Sequence, residues 1–194
     1  MDAIKRFQLV FFSILLLTSC SNLEEMEDSS PQQISEKVKT TLDESSPGDK
    51  TVRAPPISVR AGFGAFSKGL LLGGGASFGN WFHLEAVRDV SGIWSCQIIA
   101  SLQYTNLGGI YRRYDKAGIE GTAPLTLVTL DMNKQFTINS INMTETLSVA
   151  LQEPFLRERI DTGFTLVITD DSGNREELAV PASYVAGFLL ALEE

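Results

Sequence analysis

The chain has 194 residues, 43% of them hydrophobic and 9% aromatic, which is enough apolar material for one cored domain and too much for a disordered protein. A formal net charge of −8 leaves no electrostatic footprint for nucleic acid, so no nucleic-acid partner is expected. One histidine and two cysteines give almost nothing from which to build a zinc centre or a disulfide framework, and neither metal nor cofactor is expected.

Residues 1–19 read as an export signal. Lys5 and Arg6 precede an apolar run from Leu9 to Leu17 broken only by Ser13, and small polar residues follow. The run is too short to cross a bilayer, which takes about 20 residues. Leu17-Thr18-Ser19-Cys20 resembles the bacterial lipobox. That resemblance implies cleavage between Ser19 and Cys20 and a diacylglyceryl group on the Cys20 thiol, hence a membrane partner through an acyl anchor. A plain signal with an incidental Cys20, or an uncleaved anchor, is the weaker alternative, because the cysteine falls right at the end of the apolar run. Ser21 stands where aspartate would mark inner-membrane retention, so an outer-membrane location facing the periplasm is expected. Cys96, the other cysteine, then has no thiol partner and reads as a buried small hydrophobe in an apolar strand.

Residues 20–56 read as a lipidated N-terminus and a flexible acidic tether. Glu24, Glu25, Glu27 and Asp28 open it, Ser-Ser-Pro occurs at 29–31 and 45–47, and large apolar side chains are scarce. A marginal helix at 35–42 is the only element expected there, and Ala54-Pro55-Pro56 closes it in an extended form.

A β-rich domain is expected over 57–194. Glycines 62, 64, 69, 73, 74, 75 and 79 alternate with Phe63, Phe66, Phe78, Trp81 and Phe82, which argues for bent strands and against helix. Gly73-Gly74-Gly75 lacks the Lys-Ser/Thr ending of a phosphate loop. Segments 81–90 and 93–104 around Asp89-Val90-Ser91-Gly92 predict a hairpin. His83, in the first of them, reads as a strand residue and not as a catalytic base, since no Gly-x-Ser-x-Gly elbow accompanies it. Segment 125–130 predicts a strand, 132–143 either a short helix or a turn and strand, and 144–151 a further strand. A helical turn is expected at 155–160. A second hairpin is expected from 164–169 and 175–180 around Asp170-Asp171-Ser172-Gly173-Asn174. The near-continuous apolar run 184–192 predicts a buried closing strand, with a short helix as its runner-up. The fold class is therefore mainly β, at most α+β: a compact antiparallel barrel or sandwich with one or two short helices.

From Ala61 onward the chain is similar to the SYLF domain, a lipid-binding family. Ala61-Gly62 with Phe66, then Gly73-Gly74-Gly75-Ala76, match its glycine-rich opening; a second register uses Pro56 and Arg60-Ala61-Gly62-Phe63-Gly64 instead. Val87-Arg88-Asp89 through Gly92-Ile93-Trp94-Ser95 resembles its strand–turn–Gly-x-Trp-Ser signature, and Leu102 and Gly108 keep the spacing that follows. Segment 125–130, Ser148-Val149-Ala150, and Tyr184-Val185-Ala186-Gly187 with Leu190 match later pieces. Ser67 replaces a usual proline, Gly109-Ile110-Tyr111-Arg112 replaces a Gln-x-Gly pattern, and the family's long N-terminal helical portion is shortened. The resemblance implies phospholipid binding without catalysis.

Three functions follow in order. The first is a non-enzymatic phospholipid-binding domain on an anchored lipoprotein, with Arg112, Arg113 and Lys116, the only local basic cluster, as candidate head-group ligands. The bland reading of those three is a solvated loop. The second is a structural or interaction lipoprotein, an accessory to an envelope protein complex that binds through a sheet edge or the apolar C-terminal run. The third, an enzyme, ranks lowest: Asp89, Asp115, Glu120, Asp131, Glu145, Glu153 and Asp161 fall in no motif, and no catalytic residue is assigned.

Overall fold

The strands from Asn80 onward are drawn together by alternation. In β4 (Asn80–Arg88), Phe82, Leu84 and Ala86 are fully buried on one face. In β5 (Trp94–Thr105), Ile98, Ala100 and Leu102 continue that face, and Leu147 and Val149 extend it on β8 (Ile141–Leu151). Burying each large side chain of this set contributes about 1.5–3 kcal/mol. A computed structural model describes residues 22–42, 50–59, 79–105, 108–136 and 141–194.

Seven described strands form the larger sheet, in the order β1 (Lys39–Leu42), β2 (Lys50–Arg53), β4, β5, β8 and β7 (Leu127–Phe136), with β3 (Ile57–Val59) also pairing with β4; every pair is antiparallel. The smaller sheet has the order β10 (Arg175–Val180), β9 (Phe164–Thr169), β6 (Lys116–Ile119). The strand order of the larger sheet does not close on itself, so the expected barrel-or-sandwich resolves to an open two-sheet, β-rich α+β arrangement. One apolar cluster, which includes Phe82, Leu147, Leu166, Leu178 and Phe188, spans both sheets and the C-terminal helix.

Both expected hairpins form. Asp89 closes the first, its Oδ1 accepting from Ser91 N (2.9 Å) and Ile93 N (3.0 Å). Asp170 repeats the device in the second, accepting from Ser172 N (2.9 Å) and Asn174 N (2.8 Å). The ambiguous 132–143 stretch carries β7 on to Phe136 and begins β8 at Ile141. The turn expected at 155–160 is the short helix α3 (Glu153–Arg157).

Four expectations are corrected. The apolar run 184–192 is not a strand but lies in helix α4 (Ala182–Glu193), whose Tyr184, Val185, Phe188, Leu189 and Leu192 are buried. A helix buried on most of its circumference shows no 3.6-residue pattern, so a near-continuous apolar run does not separate it from a buried strand. Segment 22–56 is also not a flexible tether where it is described. It forms α1 (Asn22–Asp28), α2 (Pro31–Ser35), β1 and β2, and Met26, Ile34, Val52 and Ala54 enter the core. The helix expected at 35–42 lies earlier, with Ser30 and Gln33 forming a capping box ahead of it. Gly187 makes the contact between α2 and α4 close enough: a Cβ there would stand 2.6 Å from Ile34 Cβ and 2.7 Å from Pro31 O. The four helices of the described residues exceed the one or two expected.

Candidate interaction surface

Glu145 on β8 is fully buried on the core face. Its carboxylate accepts the Tyr104 hydroxyl, Arg113 N (3.1 Å) and Tyr114 N (3.3 Å). Tyr104 Oη in turn accepts from Arg112 N at 2.8 Å, and the Arg112 guanidinium covers the Tyr104 ring, 4.3 Å from its centroid. Arg112 Nη1 donates to Tyr114 Oη (2.7 Å) and to Glu176 Oε1 (2.9 Å). Asn80 closes the circuit, donating to Glu176 Oε2 (3.1 Å) and accepting from Gln103 N (2.8 Å). Burial pushes both tyrosine hydroxyls up, Glu145 adding to the effect on Tyr104 and Glu176 on Tyr114. The network joins β4, β5 and β8 to β10 and pins segment 110–115 between the sheets, where Arg113 adopts a left-handed φ of 58°. With every member partnered from within, it acts as a clasp.

A second polar row crosses the opposite face of the same sheet. Ser148 Oγ donates to Gln97 Oε1 (2.6 Å), Gln97 Nε2 donates to Glu85 Oε1 (2.9 Å), and Arg53 Nε donates to Glu85 Oε2 (2.7 Å). His83 stacks on Trp81, and its Nε2 lies 3.7 Å from Glu85 Oε2, beyond hydrogen-bond reach. The His83 imidazole 3.7 Å away and the donors Arg53 and Gln97 hold the Glu85 carboxyl below the ordinary carboxylate range against the opposing effect of burial. No cluster of metal-binding side chains occurs among the described residues.

The basic residues read from the sequence have different destinations. Arg112 is turned inward to Glu176, Lys116 pairs with Asp171, and Arg113 is exposed. Cys96 is buried, and desolvation pushes its thiol up to about 11, far from a reactive thiolate. Ser19 and Cys20, the glycines from 62 to 75, and Phe63, Phe66 and Phe78 lie outside the described residues. No helix of the described residues is long and apolar enough to cross a membrane. Their surface includes two hollows open to solvent. One of ≈620 Å³ lies between 92–96 and 150–154; the other, of ≈370 Å³, is lined by Phe164, Val180 and Ser183.

Strand β7 is exposed along almost its whole length. It ends the order of the larger sheet, and no described strand pairs with its outer edge. Nine of its ten residues are exposed, among them Val128, Leu130, Met132 and Phe136. An irregularity between Thr129 and Asp131 changes which side chains share a face. Beyond it, Asp131 and Asn133 pair with Thr146 and Thr144 on one face, while Met132, Lys134 and Phe136 pair with Glu145, Met143 and Ile141 on the other. Sequence reasoning had placed a strand at 125–130 without showing that it would be an edge, since pairing order depends on contacts distant in the chain.

No protein-family model, curated protein or solved structure matches this chain.

Proposed function

We propose that the protein is a lipoprotein, acylated on Cys20, whose domain works without catalysis by pairing β7 with an extended segment of another envelope protein. The observation that carries this reading is the exposed ten-residue edge of β7. Long edges with free backbone groups recruit strands, and soluble proteins ordinarily blunt them. Among the described residues the edge carries one bulge, the charged Asp131, and Lys134, which donates to Gly109 O and lies over the Tyr111 ring. The edge specifies its partner's chemistry: an alternating segment, apolar on the Met132–Phe136 face and polar on the Asp131–Asn133 face. The apolar side chains between the sheets form one packed cluster, which favours a role at the surface over a lipid held inside the domain. A phospholipid-binding role of the kind the SYLF resemblance implies would then be exercised at the surface.

The test is photo-crosslinking of the full chain in native envelopes from a reactive residue at position 130. The expected result is one adduct to an alternating segment of a second protein, lost in the V128K/M132K variant. Lipid-only adducts would overturn the reading. A self-adduct, with a dimer lost in the same variant, would replace the partner with a second copy.

A further inference from the structure

We infer that the segment received by β7 carries an acidic side chain opposite Lys134 and a basic one opposite Asp131; the inference rests on the reading of β7 as a pairing edge. The irregularity between Thr129 and Asp131 bends the strand, so the regular part of the edge runs from Asp131 to Phe136. At roughly 3.4 Å per residue that stretch offers about 20 Å of ladder. Within it, Met132, Lys134 and Phe136 share the face of Glu145, Met143 and Ile141, whereas Asp131, Asn133 and Gln135 share the other. Each face of the edge therefore presents a single charge, and the two charges differ in sign.

Neither charge is compensated within the described residues. The chain carries 24 acidic residues against 16 basic ones, so a carboxylate is the partner a cation most readily finds. Arg53, Arg112, Lys116, Arg157 and Arg175 each have one. Among the described residues Lys134 has none. Its ammonium donates to Gly109 O and lies 4.7 Å from the Tyr111 centroid, which leaves further donors over. Asp131 has no cation among the described residues either, and faces Thr146 across the ladder. Opposite charges directly across a strand pair stabilise it and like charges destabilise it, so the edge selects the sign of its partner at two positions.

Segment 109–113 reinforces the choice on the Lys134 face. Gly109 sits against Ile141, where a Cβ would stand 3.0 Å from Cδ1, and Arg113 N reaches Glu145 Oε1 at 3.1 Å. The segment thus runs beside the rows from Phe136–Ile141 to Met132–Glu145, and both Ile110 and Arg113 are exposed on it. Glu145, the acid of these rows, is fully buried with its own donors in place and does not serve Lys134. An acidic side chain between two apolar ones matches Lys134 between the exposed Met132 and Phe136. The charges also fix the register. A slip of one residue turns every side chain of the added strand to the wrong face. A slip of two moves the acid to Met132 or Phe136 and takes the base off Asp131 in the same step.

The experiment uses the full chain, isotope-labelled for amide NMR, and two end-blocked peptides of the same composition. In an antiparallel pairing Val-Thr-Glu-Thr-Val-Lys sets Glu against Lys134 and Lys against Asp131, and Val-Thr-Lys-Thr-Val-Glu exchanges them. Each is added at millimolar concentration while the amide signals of 131–136 are followed. The first peptide is expected to bind at least about fivefold tighter, and the variant D131K/K134E to reverse the order. Equal affinities, a preference for the second peptide, or an order unchanged in the variant would overturn the inference and leave the pairing edge standing. Signals of 131–136 that move with neither peptide would overturn the edge itself, and the inference with it.

Discussion

Glu145 and Glu85 occupy opposite faces of the same sheet, both with little or no exposure, and they are used in opposite ways. Glu145 accepts two backbone amides of a non-strand segment and a tyrosine hydroxyl, so its carboxylate holds the path of the chain. Glu85 accepts only side chains, and its cation, Arg53, is more than half exposed. One carboxylate is an internal fastening, the other a charge in a row that opens to solvent at one end. The difference shows that low exposure alone does not rank buried acids; the identity of the donors does.

Breaking the fastening should have the largest effect. Glu145→Ala leaves Arg113 N, Tyr114 N and the Tyr104 hydroxyl without their acceptor, an expected loss of about 3–5 kcal/mol by denaturant unfolding. A loss below about 1 kcal/mol would mean that water replaces the carboxylate and that the clasp is not closed.

The second substitution, Glu85→Gln, is expected to cost about 1–3 kcal/mol at neutral pH, with a pH signature. The folded carboxyl at about 2 lies below its ordinary 4.5, so Glu85 adds stability above pH 4.5 and loses it as pH falls toward 2. The gap between wild type and variant, followed by unfolding at a series of pH values, should close over that window. A gap constant from pH 6 to pH 2 would contradict the assignment.

The smallest effect has the opposite sign. Arg113→Gly relieves a left-handed φ of 58° in the segment that Glu145 pins, and should stabilise by about 0.5 kcal/mol. In the Glu145→Ala background the gain should vanish if the carboxylate is what imposes that backbone path, a coupling measured by a double-mutant cycle.

Much of the sheet was legible because alternation and turn residues agree. Segments 164–169 and 175–180 around Asp170 and Gly173 are recovered with the same bounds as β9 and β10. Helix α4 was not, since an apolar run without polar interruptions carries no period. The N-terminal elements read as a tether because their buried residues are few and scattered among acidic ones; Ser30-Pro31 with Gln33, a capping box with proline at its first turn, is the signal in the sequence that points to α2. The clasp was out of reach from sequence. Arg112 meets Glu176 across 64 positions and Tyr104 meets Glu145 across 41, so the basic cluster at 112–116 reads as one surface although its members have separate partners.

The close seat of Gly187 against Ile34 and the Ser183 hydroxyl donating to Met26 O tie the first folded elements to the last. A chain synthesised N-terminus first presents α1 and α2 long before their partner exists, with more than 150 positions between Met26 and Ser183. Those short helices have little stability by themselves, so they stay unstructured until α4 arrives, and folding completes only when the C-terminal residues are in place.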